Sequence, residues 1–234
     1  MDKNSNLKSS IGNFLTALFD LMLLNLLWVV CSLPVLTMGT ATSALFSVSL
    51  KIRKGEDVHT FSDFFKAFGD GFKQSFVLGL IAMVSAFIIY VDYAFSDSQE
   101  GFQKTLFLVV AVMATVLWLI FVTYSFPLQA RFENTLTGHI KNAFALAICS
   151  PGRTLLMWLV YAAPVLIALV LGNYVWYIGW AYLLFAVSLP VYINSKTLLK
   201  VFEKISQGKE NGEIKQDPWD DFEGVGEGES DDEA

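Results

Sequence analysis

The stretch LFLVVAVMATVLWLIFVTYSF, residues 106–126, contains 21 residues and no charged side chain. A helix of about 20 apolar residues is long enough to cross the hydrocarbon core of a bilayer. The rest of the chain has a similar character, since 54% of its 234 residues are hydrophobic and only 16% are charged. A soluble domain carries more charge on its surface. The sequence therefore predicts an all-α integral membrane protein of the plasma membrane.

Five further segments are candidates for membrane-spanning helices. Residues 14–33, 75–95 and 174–194 resemble the first in length and composition, and residues 155–171 form a shorter candidate. Residues 34–50 are less hydrophobic because they are rich in Thr, Ser, Ala and Gly, which are common where membrane helices pack closely. This segment is either a short span or a re-entrant hairpin. The predicted architecture is a polytopic bundle of six spans, with five as the alternative.

The distribution of positive charge favours six spans with both termini in the cytoplasm. Cytoplasmic loops of membrane proteins carry an excess of Lys and Arg. With six spans, 13 of the 14 Lys and Arg residues in the first 204 positions lie on the cytoplasmic side, and only Lys104 lies outside. With five spans the N-terminus moves outside and takes Lys3 and Lys8 with it. We therefore expect an N-in, C-in topology.

Two cytoplasmic loops show helical patterns. In residues 61–73 five phenylalanines share one helical face, and Thr60 is placed to cap the N-terminus. They are Phe61, Phe64, Phe65, Phe68 and Phe72. This spacing predicts an amphipathic helix in the inner interface of the membrane. In the second loop, apolar residues repeat every four positions from Phe132 to Ile140, which predicts that the preceding span continues into the cytoplasm as one helix.

The last 30 residues differ from the rest of the chain. Residues 1–204 contain 14 Lys and Arg against 11 Asp and Glu, whereas residues 205–234 contain 2 against 11. The overall net charge of −6 is therefore a property of the C-terminal segment. That segment is rich in Gly, Glu and Asp without periodicity, so it cannot bury enough apolar surface to order itself. We predict a transmembrane domain at 1–204 and a disordered acidic cytoplasmic tail at 205–234.

No pattern in the sequence is typical of an enzyme or a metal site. His59 and His139 stand alone in separate loops, and a zinc site would need three or four ligands. Cys31 and Cys149 are predicted near opposite faces of the membrane, too far apart for a disulfide. The glycines of the acidic tail are not followed by a phosphate-binding lysine. We expect a protein that is not an enzyme, holds no metal or cofactor and binds no nucleic acid.

Polar residues inside membrane spans are the default functional candidates. Asn25 lies in the middle of the first span, and Asp92 lies in the outer part of the span at 75–95. An interhelical hydrogen bond explains Asn25 with fewer assumptions than a substrate contact does. For Asp92, a solvated position near the lipid headgroups is likewise a simpler explanation than a proton or cation site.

Residues 34–50 contain a candidate packing or gating segment. Its members are Pro34, Thr37, Gly39, Ala41, Thr42 and Ala44. A helix broken at Pro34 and Gly39 would be similar to the half-helices with which transporters coordinate substrate near the midplane. Close packing against a neighbouring helix explains the same small residues more simply.

Several short motifs follow one another along residues 10–200. They are Asn25-x-x-Trp28, Leu33-Pro34-x-x-Thr37-x-Gly39-x-Ala41-Thr42-x-Ala44, Phe64-Phe65-x-x-Phe68, Tyr124-x-x-Pro127-Leu128-x-Ala130-Arg131-Phe132 and Ile140-Lys141-Asn142-Ala143. Their order resembles the YesL-like family of bacterial integral membrane proteins, a domain of unknown function. The acidic tail has no counterpart in this resemblance.

The resemblance implies a Gram-positive source and, through the gene neighbourhoods of such proteins, a link to carbohydrate-uptake ABC transporters. We therefore expect an accessory or regulatory partner of carbohydrate uptake, which contacts the lipid bilayer and subunits of a sugar transporter. The candidate docking residues on the cytoplasmic side are Phe64, Phe65, Phe68 and Arg131. The alternative is a small-molecule permease or channel, with Asn25, Asp92 and the segment at 34–50 along its path.

Overall fold

The computed structural model describes residues 3–132, 134–172 and 184–210, which are helical apart from short turns and contain no β-strand. The helices are α1 (Lys3–Ser32), α2 (Met38–Lys54), α3 (Thr60–Asp70), α4 (Phe72–Asp97), α5 (Gly101–Arg131), α6 (Leu136–Cys149), α7 (Pro151–Leu171) and α8 (Ser188–Glu210), with a 3₁₀ turn at Val35–Thr37. The chain divides into one unit at Met1–Thr197 and a second at Leu198–Ala234. Within the described part of the second unit lies the C-terminal portion of α8.

Five of the described helical segments are long and apolar enough to cross a membrane. They are Leu15–Ser32, Val35–Lys54, Phe72–Asp97, Gly101–Arg131 and Pro151–Val170. The described residues thereby confirm the prediction of an all-helical protein with several helices suited in length and composition to crossing a membrane. Residues 174–183 of the predicted span at residues 174–194 lie outside the described residues, and its described part, residues 184–194, runs into the start of α8.

The segment at 34–50 folds as one helix with a 3₁₀ turn before it, so the re-entrant hairpin was the wrong alternative. Pro34 lacks an N–H and adopts an extended conformation, which places the turn before α2 and leaves the helix itself unbroken. At the other end Gly55 adopts a left-handed conformation and stops the helix after three cations, Lys51, Arg53 and Lys54. The segment is therefore a continuous candidate span.

Helix α2 is the most enclosed of the candidate spans. Buried residues make up 56% of its apolar window, against 22% or less in the other four. Helices α1, α3, α4 and α5 all pack against it. Its low hydrophobicity follows from this position, because a helix surrounded by other helices needs small side chains rather than a lipid-facing apolar surface.

Helix α3 is shorter than the predicted helix at 61–73. It ends at Asp70, and Gly71 leaves the helical conformation before α4 begins at Phe72. Thr60 is the first residue of the helix and not its cap, since His59 occupies the cap position. The hydroxyl of Thr60 instead donates a hydrogen bond to the carboxylate of Asp20 on α1, 2.7 Å away. The helix is therefore attached to α1 at its N-terminal end.

The second loop corrects the prediction of one continuous helix. Helix α5 extends beyond the predicted span, through Pro127 to Arg131, but Phe132 is extended and the helix stops there. A separate helix, α6, then begins at Leu136. Thr135 caps it, because its side-chain oxygen accepts a hydrogen bond from the N–H of Gly138. This local cap is a start signal that the four-residue apolar repeat did not reveal.

At the C-terminal end, α8 continues to Glu210 and so includes the first six residues of the predicted tail, 205–210. The remainder of the predicted tail, residues 211–234, lies outside the described residues. The prediction of disorder in that segment stays a prediction.

Candidate functional site

Asn25 has a structural partner deep in the bundle. Its side chain is only 1% exposed, and its amide oxygen accepts hydrogen bonds from the N–H groups of Val187 and Ser188, at 3.0 and 2.9 Å. These two groups lie at the start of α8, where the first N–H groups of a helix lack partners within the helix. Asn25 therefore caps α8 from α1, which favours the interhelical role over a substrate contact.

The motif around residues 28–42 joins the end of α1 to the start of α2. The indole N–H of Trp28 donates to the hydroxyl of Thr42 at 3.1 Å. The hydroxyl of Thr37 lies 2.6 Å from the carbonyl oxygen of Cys31 and 2.8 Å from that of Pro34. Thr37 thus donates to a carbonyl group, that of Cys31, in the last turn of α1, where carbonyl groups lack partners within the helix. Both contacts hold the reversal between two spans in place.

Gly39 lies at a close backbone contact between α2 and α4. A Cβ atom built on Gly39 would lie 2.6 Å from the Cα atom of Gly79 and 2.7 Å from the carbonyl oxygen of Ser75. No side chain fits in that space. Ala41 and Ala44 on the same helix are also completely buried. The predicted packing or gating segment is therefore a close helix-helix contact, which favours packing over a broken transporter helix.

Asp92 lies far from this contact. Thirteen residues separate it from Gly79 on α4, which corresponds to about 20 Å along the helix axis. Its side chain is half-buried, and none of the described residues forms a hydrogen bond or an ion pair with it. The structure therefore does not bring Asp92 together with the segment at 34–50 into one polar site.

A polar cavity of about 480 Å³ opens beside α2, at the end of the helix that carries its cations. Helix α2 contributes Ser43, Ser47 and Lys51, and α3 contributes Asp63, Lys66 and Asp70. The remaining polar residues of the wall are Gln74, Gln129, Arg131 and Asn134. We refer to this cavity as the vestibule. Its volume lies within the range of roughly 300 to 1,000 Å³ that is usual for small-molecule sites.

The charged groups of the vestibule are of both signs. The ammonium of Lys51 lies 3.1 Å from one carboxylate oxygen of Asp63, and the backbone N–H of His59 donates to the other at 3.0 Å. Burial would raise the pKa of Asp63, but the hydrogen bonds from Lys51 and His59 and their positive charge outweigh it and lower the pKa. Asp63 is therefore ionised at neutral pH and paired with Lys51.

Two polar side chains of the vestibule have unused hydrogen-bonding capacity. Ser43 is only 5% exposed, and its hydroxyl has no hydrogen-bond partner among the described residues. The amide oxygen of Gln129 is buried and has no partner in the described part of the chain either. By contrast, the amide of Gln74 donates to the backbone carbonyl of Asn134 at 2.7 Å, so it is used within the protein.

Sequence reasoning missed the vestibule, although a signal was present. Ser43, Ser47 and Lys51 recur at intervals of four, which places them on one face of α2. Two hydroxyls and a cation on one face of a membrane helix indicate a polar surface. The prediction did not recognise it because the same serines were attributed to helix packing.

The predicted docking residues do not all face outward. Phe64 is completely buried, so it cannot contact a partner in this structure. Phe68 is half-buried, whereas Phe61 and Phe65 are 60% and 43% exposed. Arg131 is exposed and lies over the ring of Phe132, 5.5 Å from its centroid. The face of α3 available to a partner is therefore formed by Phe61 and Phe65.

The two histidines singled out in the sequence do not form part of a metal-ligand cluster in the described residues. Those residues contain no group of three His, Cys, Asp or Glu side chains arranged to hold a metal ion. His139 is buried in α6, and burial lowers its pKa from 6.5. Its Nε2 atom has no hydrogen-bond partner in the described part of the chain. His139 is therefore a neutral interior residue.

The chain is similar to a family and to a curated protein. Residues 21–93 match a family described as "Protein of unknown function, DUF624". The chain is 28% identical over 206 residues to "Uncharacterized protein YesL" of Bacillus subtilis (strain 168), covering 86% of this chain and 94% of the relative. No solved structure matches the chain. The two matches confirm the resemblance to the YesL-like family that the motifs indicated.

Proposed function

We propose that this YesL-like chain crosses the plasma membrane six times, with residues 174–194 as the last span and both termini in the cytoplasm. The charge distribution supports this topology, because it leaves a single cation of the first 204 residues outside. In this orientation α3, α6 and the mouth of the vestibule lie on the cytoplasmic side. They form the surface through which the protein acts.

The proposed activity is that of a non-enzymatic accessory or regulatory partner in carbohydrate uptake. The observation that carries the proposal is the face of α3, where Phe61 and Phe65 stay exposed although the helix is anchored at both Thr60 and Asp63. An anchored helix with exposed aromatic side chains loses little conformational freedom when it binds a partner. Aromatic residues are also enriched in protein interfaces. The choice of an ABC transporter as partner rests on the family resemblance.

Affinity purification from native membranes tests this proposal. The tagged protein, extracted in a mild detergent, should recover subunits of a sugar transporter, and Phe65→Ala should reduce the recovery severalfold. Phe102→Ala is the matched control, because Phe102 is 81% exposed but lies at the start of α5, on the proposed outer side. The proposal fails if no transporter subunit is recovered and deletion of the gene leaves growth on oligosaccharides unchanged.

The alternative function is that of a small-molecule permease, and the vestibule favours it. A polar cavity open at one end of a helical bundle could be the inner half of a transport path. Flux of sugars or ions into sealed liposomes that contain only the purified protein would establish this function. Loss of the flux in Asp92→Asn would place Asp92 on the path. In the structure the contact of Gly39 with Gly79 leaves no space between α2 and α4.

A further inference from the structure

We infer that the vestibule binds an uncharged solute rich in hydroxyl groups, such as a sugar or a polyol. This binding site deepens the proposed function. Only the biological source of the solute rests on that function. The inference itself stands on the composition of the wall, the unused hydrogen-bonding groups in it and the way the cavity ends.

The charges of the wall exclude strongly charged ligands. Lys51, Lys66 and Arg131 oppose Asp63 and Asp70, and Lys51 is already paired with Asp63 at 3.1 Å. A site for phosphate normally has a clear excess of Arg and Lys, whereas the described residues of this wall have a formal charge balance of +1. A site for a cation would not contain three positively charged side chains, because they repel the ligand. Neither kind of ion gains enough from this wall to offset the loss of its hydration.

The uncharged groups of the wall match hydroxyls. A hydroxyl group both donates and accepts hydrogen bonds, and so do the Ser and Gln side chains, whereas Asp accepts and Lys and Arg donate. Ser43 and the amide oxygen of Gln129 have no partner among the described residues. The hydroxyl of Ser43 lines the cavity, so a ligand hydroxyl can donate a hydrogen bond to it and accept one from it. The amide oxygen of Gln129 is a buried group without a partner next to the same cavity, and such a group is costly.

The end of the vestibule sets the depth that a ligand reaches. Ser43 lies one helical turn after Gly39 on α2, and Gly39 is in contact with Gly79 and with the backbone of Ser75. Beyond Ser43 the two helices therefore leave no room for a solute. A ligand held against Ser43 shares the cavity with the exposed residues Lys66 and Asp70, which fits reversible binding from one side of the membrane.

Saturation-transfer NMR on the full-length protein in lipid nanodiscs tests the inference. The probes are glucose, maltose and myo-inositol, with inorganic phosphate and choline as charged comparisons. We expect signals from at least one hydroxyl-rich probe and none from the two ions. Binding of phosphate or choline in preference to the hydroxyl-rich probes would overturn the inference, and so would the absence of binding by all three of those probes.

Two substitutions connect the binding to the vestibule. Ser43→Ala should weaken it roughly fivefold, the effect of losing one hydrogen bond, and Ser47→Phe should abolish it by filling the cavity. Ser49→Ala is the matched control, since Ser49 is on the same helix and is buried with an unpartnered hydroxyl but does not line the vestibule. Equal binding by Ser43→Ala, Ser49→Ala and Ser47→Phe, all with the helicity of the wild type, would also overturn the inference.

The outcomes for the two proposals can be told apart. If a hydroxyl-rich probe binds but no transporter subunit is recovered from membranes, the accessory function fails while the ligand site stands. If a transporter subunit is recovered but none of the three probes binds, the ligand site fails while the accessory function stands.

Discussion

Gly39 shows how a single residue determines the distance between two membrane helices. Its missing side chain allows the backbone of α2 to approach the Cα atom of Gly79 and the carbonyl oxygen of Ser75. Close approach of backbones is a main source of attraction between helices in lipid, where apolar side chains gain little from leaving the bilayer. Gly39 is therefore a packing residue, and its replacement by a larger residue changes the position of α2.

Substitution of Gly39 tests this role. Gly39→Val places atoms where Gly79 already lies, so we expect a loss of about 1 to 3 kcal/mol in unfolding free energy, typical of overpacking. The measurement is thermal unfolding in detergent, followed by circular dichroism. Gly69→Ala is the control, because no atom lies within 4 Å of a Cβ atom at that position. Equal midpoints for the two variants would show that the helices do not pack this closely.

His139 makes stability depend on pH. Burial lowers its pKa below 6.5, so the folded protein resists protonation while the unfolded chain accepts the proton. Stability from this residue is complete above pH 6.5 and is lost progressively as pH falls below that value toward the folded pKa. We expect the unfolding midpoint to drop between pH 7.5 and 5.5, and to drop less in His139→Gln.

At the scale of elements, α3 depends on polar contacts with its neighbours. Thr60 is hydrogen-bonded to Asp20 on α1, and Asp63 is paired with Lys51 on α2. The spacing of phenylalanines predicted the helix and its amphipathic character, but Gly71 ends it earlier than predicted. Neither Asp20 nor its bond to Thr60 was part of the sequence prediction, since 40 residues separate the two.

Removal of the carboxylate of Asp20 should loosen α3. In Asp20→Ala the hydroxyl of Thr60 loses its acceptor, and hydrogen bonds to charged groups contribute about 1.5 to 3 kcal/mol. We expect amide hydrogen exchange in residues 60–70 to become at least roughly tenfold faster, with exchange in α5 unchanged. Asp97→Ala removes an exposed ion pair with Lys104 and should leave α3 unaffected. Unchanged protection of α3 in Asp20→Ala would show that Phe64 and its neighbours hold the helix without this bond.

For the whole molecule, a natural cysteine provides a test of the proposed orientation in the membrane. Cys149 is exposed at the end of α6, on the proposed cytoplasmic side. In a Cys31→Ala background, a membrane-impermeant maleimide should label Cys149 only after the cells are permeabilised. Gln99→Cys, in a chain that lacks both natural cysteines, should be labelled in intact cells. The reverse pattern would invert the topology and place the vestibule outside.

The sequence by itself determined the properties that depend on local composition. Length and hydropathy predicted the helices that are suited to crossing a membrane, and the periodicity of Phe61 to Phe72 predicted an amphipathic helix between two of them. Small residues around Gly39 predicted close packing, because only small side chains permit it. The motifs also indicated the resemblance to the YesL-like family, since they follow one another in the same order along the chain.

Only the tertiary structure decided which residues meet. The partner of Asn25 lies more than 160 positions away, at the start of α8, and no local pattern encodes that distance. The vestibule arises because α2, α3, α4 and α5 bring polar residues from separate stretches to one end of the bundle. Phe64 and Phe65 belong to one sequence motif, but in the structure Phe64 is buried and Phe65 is exposed. Contacts and burial depend on the packing of all the helices together, whereas hydropathy and periodicity are properties of each segment alone.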